Sequence, residues 1–182
     1  MTPQASSPAA RTASDEPVPE DGARPSDAAL APLELRYLVL AAQREGNRAL
    51  NRQLAPLGLT ASQFEIMLVL HEYEPITLKE LGELIVCETA SPSRIVDTLV
   101  RRGLVERSVD ESDRRAVSLR LASEGLELIP RLRAIDQAID AGAHASIDAG
   151  DLMGLATALR RYLEGTESGD VLERRFGAQR ES

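Results

Sequence analysis

Few residues of this 182-residue chain are of types that carry chemistry, and their spacing narrows the options. There is one cysteine, Cys87, and there are two histidines, His71 and His144. One thiol cannot close an intrachain disulfide or fill a multi-cysteine metal site. The run from His71 to Glu74 lacks the second histidine of the zinc-binding H-E-x-x-H pattern. Neither the nucleophile pattern G-x-S-x-G nor the phosphate-cradling G-x-x-x-x-G-K occurs, so neither an enzyme nor a cofactor is expected. Cys87 stands ahead of a helix, where amide N–H groups can acidify a thiol. It is expected instead as a small buried turn residue. Arginine is the informative type. Arg114 and Arg115 close the charged run that begins at Asp110, and guanidinium groups on a protruding turn can reach phosphates or a minor groove.

Composition sets the frame for those arginines. The net charge is -8, which excludes a strongly basic nucleic-acid coat but not a local patch. Residues 76–123 hold eight basic and eight acidic side chains, so the rest of the chain carries the whole excess of acid. Five residues are Tyr or Phe and none is Trp, too few for a broad stacking surface for single strands. No apolar run approaches the length of a membrane span. The expected setting is cytoplasmic, without membrane contact.

The elements follow from periodicity. Residues 1–30 hold five of the ten prolines, two arginines and five carboxylates, with no apolar period and no secretory signal, and are expected as a disordered tail. Residues 31–164 form the expected folded part, and 165–182 a flexible tail with at most one helical turn near Val171–Phe176. Leu35, Leu38, Val39, Ala42, Ala49, Leu50 and Leu54 recur at helical spacing. Thr60 or Ser62 can cap the next helix, whose buried side is Phe64, Met67, Leu68 and Leu70 and which ends near Glu74-Pro75. Thr77 and Glu80 stand at capping-box spacing ahead of a helix over 78–85. A further helix carries Ile95, Val96, Leu99 and Val100 and stops at Gly103. Two starts fit it: Glu88 as cap, or Ser91 as cap with Pro92 in the first turn. Residues 104–108 and 116–121 read as a hairpin, with Val117, Leu119 and Leu121 on one face. A helix with the stripe Leu126, Ile129, Leu132, Ile135 and Ile139 follows, with Pro130 predicting a kink or a delayed start. The last helix carries Leu152, Leu155, Ala156, Leu159 and Leu163. The fold class is mainly α with a small β-hairpin wing: a winged helix-turn-helix, about residues 61–121, flanked by helices.

The pieces LKELGEL, SRIVDTLVRRGLVER and DESDRRAVSLRLASEG resemble the winged helix of MarR-family transcriptional regulators. The resemblance covers about residues 31–164. It implies a homodimer interlocked by its outer helices, reading two half-sites of a near-palindromic double-stranded operator. The commoner mode is a repressor released by a small phenolic or aromatic acid. It places Arg94 at the basic position of the recognition helix and Thr89, Ala90, Ser91 and Ser93 on its groove-facing first turns. Asp97 is expected to pair with a nearby arginine. Arg115 matches the family's wing arginine, Asp113 its partner carboxylate, and Arg114 is the more exposed contact. Ser112 stands where many members carry arginine, and Glu88 where Ser or Thr is usual. The effector pocket would draw on Tyr37, Arg44, Phe64, His71 and Tyr73. The alternative is a protein-interaction module that uses the winged helix as a docking face.

The dimer also follows from packing. Apolar stripes on the terminal helices exceed what one small winged helix can cover, and a two-fold copy can bury them.

Overall fold

A computed structural model of the chain describes residues 27–86, 91–109 and 117–180. It comprises two units, 1–39 and 40–182, and their boundary falls inside the first helix. That helix, α1, spans Asp27–Leu54. It begins inside the segment expected as a tail. In its first unit Leu33, Leu35, Tyr37, Leu38 and Val39 are all exposed. At the other end Leu54 is fully buried.

A short 3-10 turn, Ala55–Leu57, ends at Gly58, whose φ of 61° is left-handed. Helix α2, Ala61–Tyr73, starts at Thr60. The Thr60 hydroxyl accepts from the Gln63 amide, and the Gln63 side chain accepts from the Thr60 amide. The cap is therefore Thr60, and Ser62 is buried inside the helix. α2 is surrounded by later elements of the chain, so it is buried almost all round and shows little stripe. Pro75 ends it, as expected.

Strand β1, Ile76–Thr77, leads into α3, Leu78–Gly82, through the expected Thr77–Glu80 capping box. α3 is shorter than the sequence predicts. Its C-cap, Glu83, already makes the tightened bonds of a helix end, and 83–86 form the way out. Helix α4, Pro92–Arg101, buries Ile95, Val96 and Leu99 and stops at Gly103, φ 71°. Strands β2, Val105–Val109, and β3, Val117–Leu121, pair antiparallel from Val105↔Leu121 to Val109↔Val117. β1 adds to the other edge of β3, so the sheet has three strands in the order β1-β3-β2 rather than two. Leu119 and Leu121 are buried, but Val117 is exposed. It lies two residues further from the helices, about 7 Å along an extended strand.

Helix α5, Ser123–Ser146, runs through Pro130 without a delayed start. Gly125 lets it start against the sheet, because a Cβ there would collide with the Leu104 carbonyl oxygen. Ile129, Leu132 and Ile135 enter the core, while Leu126 is exposed. Helix α6, Ala149–Leu163, buries nothing fully. Helix α7, Glu167–Arg180, occupies the segment expected as a flexible tail. Gly165, φ 73°, stops α6, and the Thr166 hydroxyl accepts from the Gly169 amide as the new N-cap bond. Val171 is buried. One core unites Leu54, α2, Leu81, α4, the sheet and α5.

Candidate nucleic-acid interface

Helix α4 has two faces. Ile95, Val96 and Leu99 pack inward, while Ser91, Arg94, Thr98 and Arg101 recur at spacings of three and four on the opposite side. Arg94 and Arg101 are exposed. Thr98 joins them, its hydroxyl donating to the Arg94 carbonyl (3.0 Å) and accepting from Arg101 Nη2 (2.8 Å). Ten helical residues span about 15 Å, enough to lie along a major groove. The helix starts at Pro92, which favours the Ser91 start. The Ser91 hydroxyl makes no cap bond; it sits 2.8 Å from that of Ser93, and the Ser91 carbonyl accepts from the Arg94 amide. Thr98 and Arg101 are absent from the contact set expected from the sequence, although the 91/94/98/101 spacing was there to place them in it.

Two other arginines of the segment are structural. Arg107 on β2 meets Asp97 at 2.6 Å, the pairing expected for Asp97, and ties the wing to α4. Arg102 donates to the carbonyl oxygens of Gly58 (2.8 Å) and Leu57 (3.1 Å), so the end of α4 grips the end of the α1 turn. Both pairs are partly open to water, so their value is geometric more than energetic. In the wing, Arg120 is exposed and pairs in register with Glu106. Thr89, Ala90, Arg114 and Arg115 lie outside the described residues, as do Cys87, Glu88, Ser112 and Asp113.

The expected pocket residues stand on α1 and α2. Tyr37 is exposed on the first unit, and Arg44 is exposed further along α1. Phe64 is buried in the core. His71 lines an open cavity of about 300 Å³ with Leu68, Arg133, Asp136 and Arg175. Tyr73 does not line it but donates its hydroxyl to the Arg175 carbonyl (3.3 Å). Burial, then the nearby Glu72 charge, raises the Tyr73 phenol above its usual range. Burial, reinforced by Asp140, likewise raises the Asp136 carboxyl. Arg133 and Arg175 were missed because sequence order gives no sign that α5 and α7 meet the end of α2. Among the described residues no group of His, Cys, Asp and Glu is arranged to hold a metal. No single described helix is long and apolar enough to cross a membrane.

A helix-turn-helix backed by a hairpin defines a winged helix. The sequence pattern of the MarR family matches residues 59–117. The chain is 31% identical over 93 residues to the multiple antibiotic resistance protein MarR of Escherichia coli, covering 51% of this chain and 65% of that protein. It is 30% identical over 115 residues to the uncharacterized HTH-type transcriptional regulator YhbI of Bacillus subtilis, covering 62% of this chain and 75% of that protein. A mutant MarR from E. coli, solved in complex with operator DNA, matches with a TM-score of 0.66 at 26% identity, covering 76% of this chain and 99% of that one. The first curated relatives are spanned over 63% to 65% of their own length. The chain belongs to the MarR family.

Proposed function

We propose that this protein is a sequence-specific, double-stranded-DNA-binding transcriptional regulator that acts as a homodimer. The observation that carries the reading is the outward face of α4, with Arg94, Thr98 and Arg101 presented on a helix whose other side is locked into the core. Arginines on such a face bind phosphates and guanine edges, and the hydroxyls of Ser91 and Thr98 suit phosphate or base contacts. The operator-bound E. coli relative supports the same reading. Arg114 and Arg115 at the wing turn, and Thr89, Ala90 and Ser93 at the start of the helix, complete the proposed contact set.

Exposed apolar side chains on α1 and α6 support the dimer. Two-fold pairing then offers two recognition helices to half-sites about one helical turn apart. The repressor mode and a small aromatic acid as effector are the finer parts of the proposal. Arg175 Nε is buried and has no hydrogen-bond partner among the described residues, and it belongs to a side chain lining the cavity with Arg133. A carboxylate suits such donors.

The test is a gel shift of the purified protein with the region upstream of its own coding sequence. A shifted band at low salt that weakens steeply at moderate salt is expected, because a local basic face works through counterion release. No shift at low salt would leave the docking-module alternative standing. Benzoate added to the complex tests the effector: release supports it, and an unchanged band removes it.

A further inference from the structure

Helix α7 follows the family resemblance, which ends near residue 164, and its arginines reach back across most of the chain. Arg174 Nε donates to the carbonyl oxygen of Glu83 (3.1 Å), the C-cap of α3. Arg175 Nη1 meets Glu65 Oε1 of α2 at 2.9 Å, with both side chains largely buried. The same Glu65 oxygen accepts from the backbone amide of Val86 at 2.9 Å. Two adjacent arginines therefore hold both ends of 83–86, one directly and one through Glu65. That segment is the exit from α3 on the way to α4, and Ser91 at the start of α4 is only five residues beyond Val86.

We propose that α7 is a strap on the helix-turn-helix, with Arg174 and Arg175 as positioning residues for the recognition helix. The proposal rests on the DNA-binding reading above. The chemistry sets its direction. Arg175 offsets the charge that Glu65, a largely buried carboxylate, brings to the Val86 amide. Without that guanidinium the buried carboxylate is drawn toward water, and its bond to the Val86 amide weakens. The turn then samples more conformations, and α4 must be ordered again on each binding event.

Two measurements on the full-length protein test this: amide exchange at Val86 without DNA, and affinity for a duplex that the wild type selects from a random library. Arg175→Gln is expected to speed Val86 exchange about tenfold and weaken the duplex about fivefold, the scale of one net hydrogen bond. The double variant Glu65→Gln/Arg175→Gln keeps an amide oxygen for Val86 and leaves no buried charge. It is expected to return both readings to within about twofold of wild type, whereas a merely structural loss would deepen in the double variant. Unchanged Val86 exchange in Arg175→Gln, faster exchange with unchanged affinity, or no recovery in the double variant overturns the strap. If Arg175→Gln does not fold, Arg174→Ala, at an exposed side chain, takes its place. A loss of affinity of about twofold is then expected, and no change overturns the proposal. If the wild type selects no duplex, the DNA-binding reading fails, while Val86 exchange still decides whether α7 holds the turn.

Discussion

Helices α2 and α6 are similar in length, 13 and 15 residues, and both are rich in apolar side chains. α2 buries seven residues and α6 none. The difference lies in their surroundings rather than in their composition. α2 is enclosed by α3, α4, α5 and β3, so its own chain satisfies it. On α6, Met153, Leu155 and Tyr162 are exposed, while Leu152, Ala156, Leu159 and Leu163 are half-buried. An apolar stripe states that something must cover it, and only the fold tells whether the cover comes from the same chain. Among the described residues the core of the winged-helix lobe is covered within one copy, whereas the apolar face of α6 stays open for the proposed dimer to cover.

Breaking that contrast should have its largest effect at α6. Leu155→Glu puts a charge on a side chain that is exposed in one copy, so the folded lobe should survive while the dimer is lost. Sedimentation should show a wild-type dimer at micromolar protein and a monomeric variant, with apparent dissociation raised at least ~100-fold, or roughly 3 kcal/mol. The wild-type melting temperature should also climb with protein concentration. A wild-type monomer that melts at one temperature at all concentrations would overturn the contrast.

Leu132→Ala tests the other side. Leu132 is fully buried on α5, so the truncation should cost about 2–5 kcal/mol in urea unfolding. A cost below ~1 kcal/mol would show that the lobe core is looser than its packing implies. Next comes the outward face of α4. Arg94→Ala should weaken a specific duplex by about 10- to 100-fold, some 1–3 kcal/mol, with no loss of thermal stability. Equal binding by variant and wild type would remove Arg94 from the contact set.

The smallest effect is titrational. The bond from the Thr77 amide, and then from its hydroxyl, holds the Glu80 carboxyl below its ordinary value of 4.5. The folded state therefore binds this proton less readily than the unfolded one. The stabilisation is present above the ordinary value and is lost as pH falls through the lower folded value. Glu80→Gln keeps an acceptor for the cap but cannot titrate, so the acid limb of a stability–pH curve should flatten slightly. An identical acid limb in variant and wild type would exclude Glu80 as a contributor.

What the sequence made legible was whatever short-range chemistry decides. The capping box at Thr77, the glycine stop after α4 and the alternation through Leu121 all rest on neighbours within a few residues and stand as read, while the structure chooses Thr60 over Ser62 as the cap of α2. Long-range partners were not legible. The two-residue strand β1 has no pattern of its own and exists because β3 offers an edge. Arg102 and Arg107 are two of the eight basic residues counted in 76–123, yet each is engaged by groups that folding brings near. For α7 the acidic, glycine-containing segment hid a helix whose start was in fact written, since Gly165 and Thr166 form a stop and a cap. Its docking depends on Glu65, which lies 110 residues away. Within the candidate site, Arg94 was legible from the resemblance, while Thr98 and Arg101 needed the helix to be seen end-on.

The two bonds from Arg102 to the Leu57 and Gly58 carbonyls carry a mechanical consequence. They fasten the end of α4, the proposed reading helix, to the turn that closes α1, a helix the proposed second subunit would grip. In the proposed dimer, a pull on the C-terminal end of α1 would act on α4 through these two bonds. A lysine at position 102 would keep the charge and lose the two-pronged grip. It would leave the spacing of the two reading heads free to drift while each lobe stayed intact.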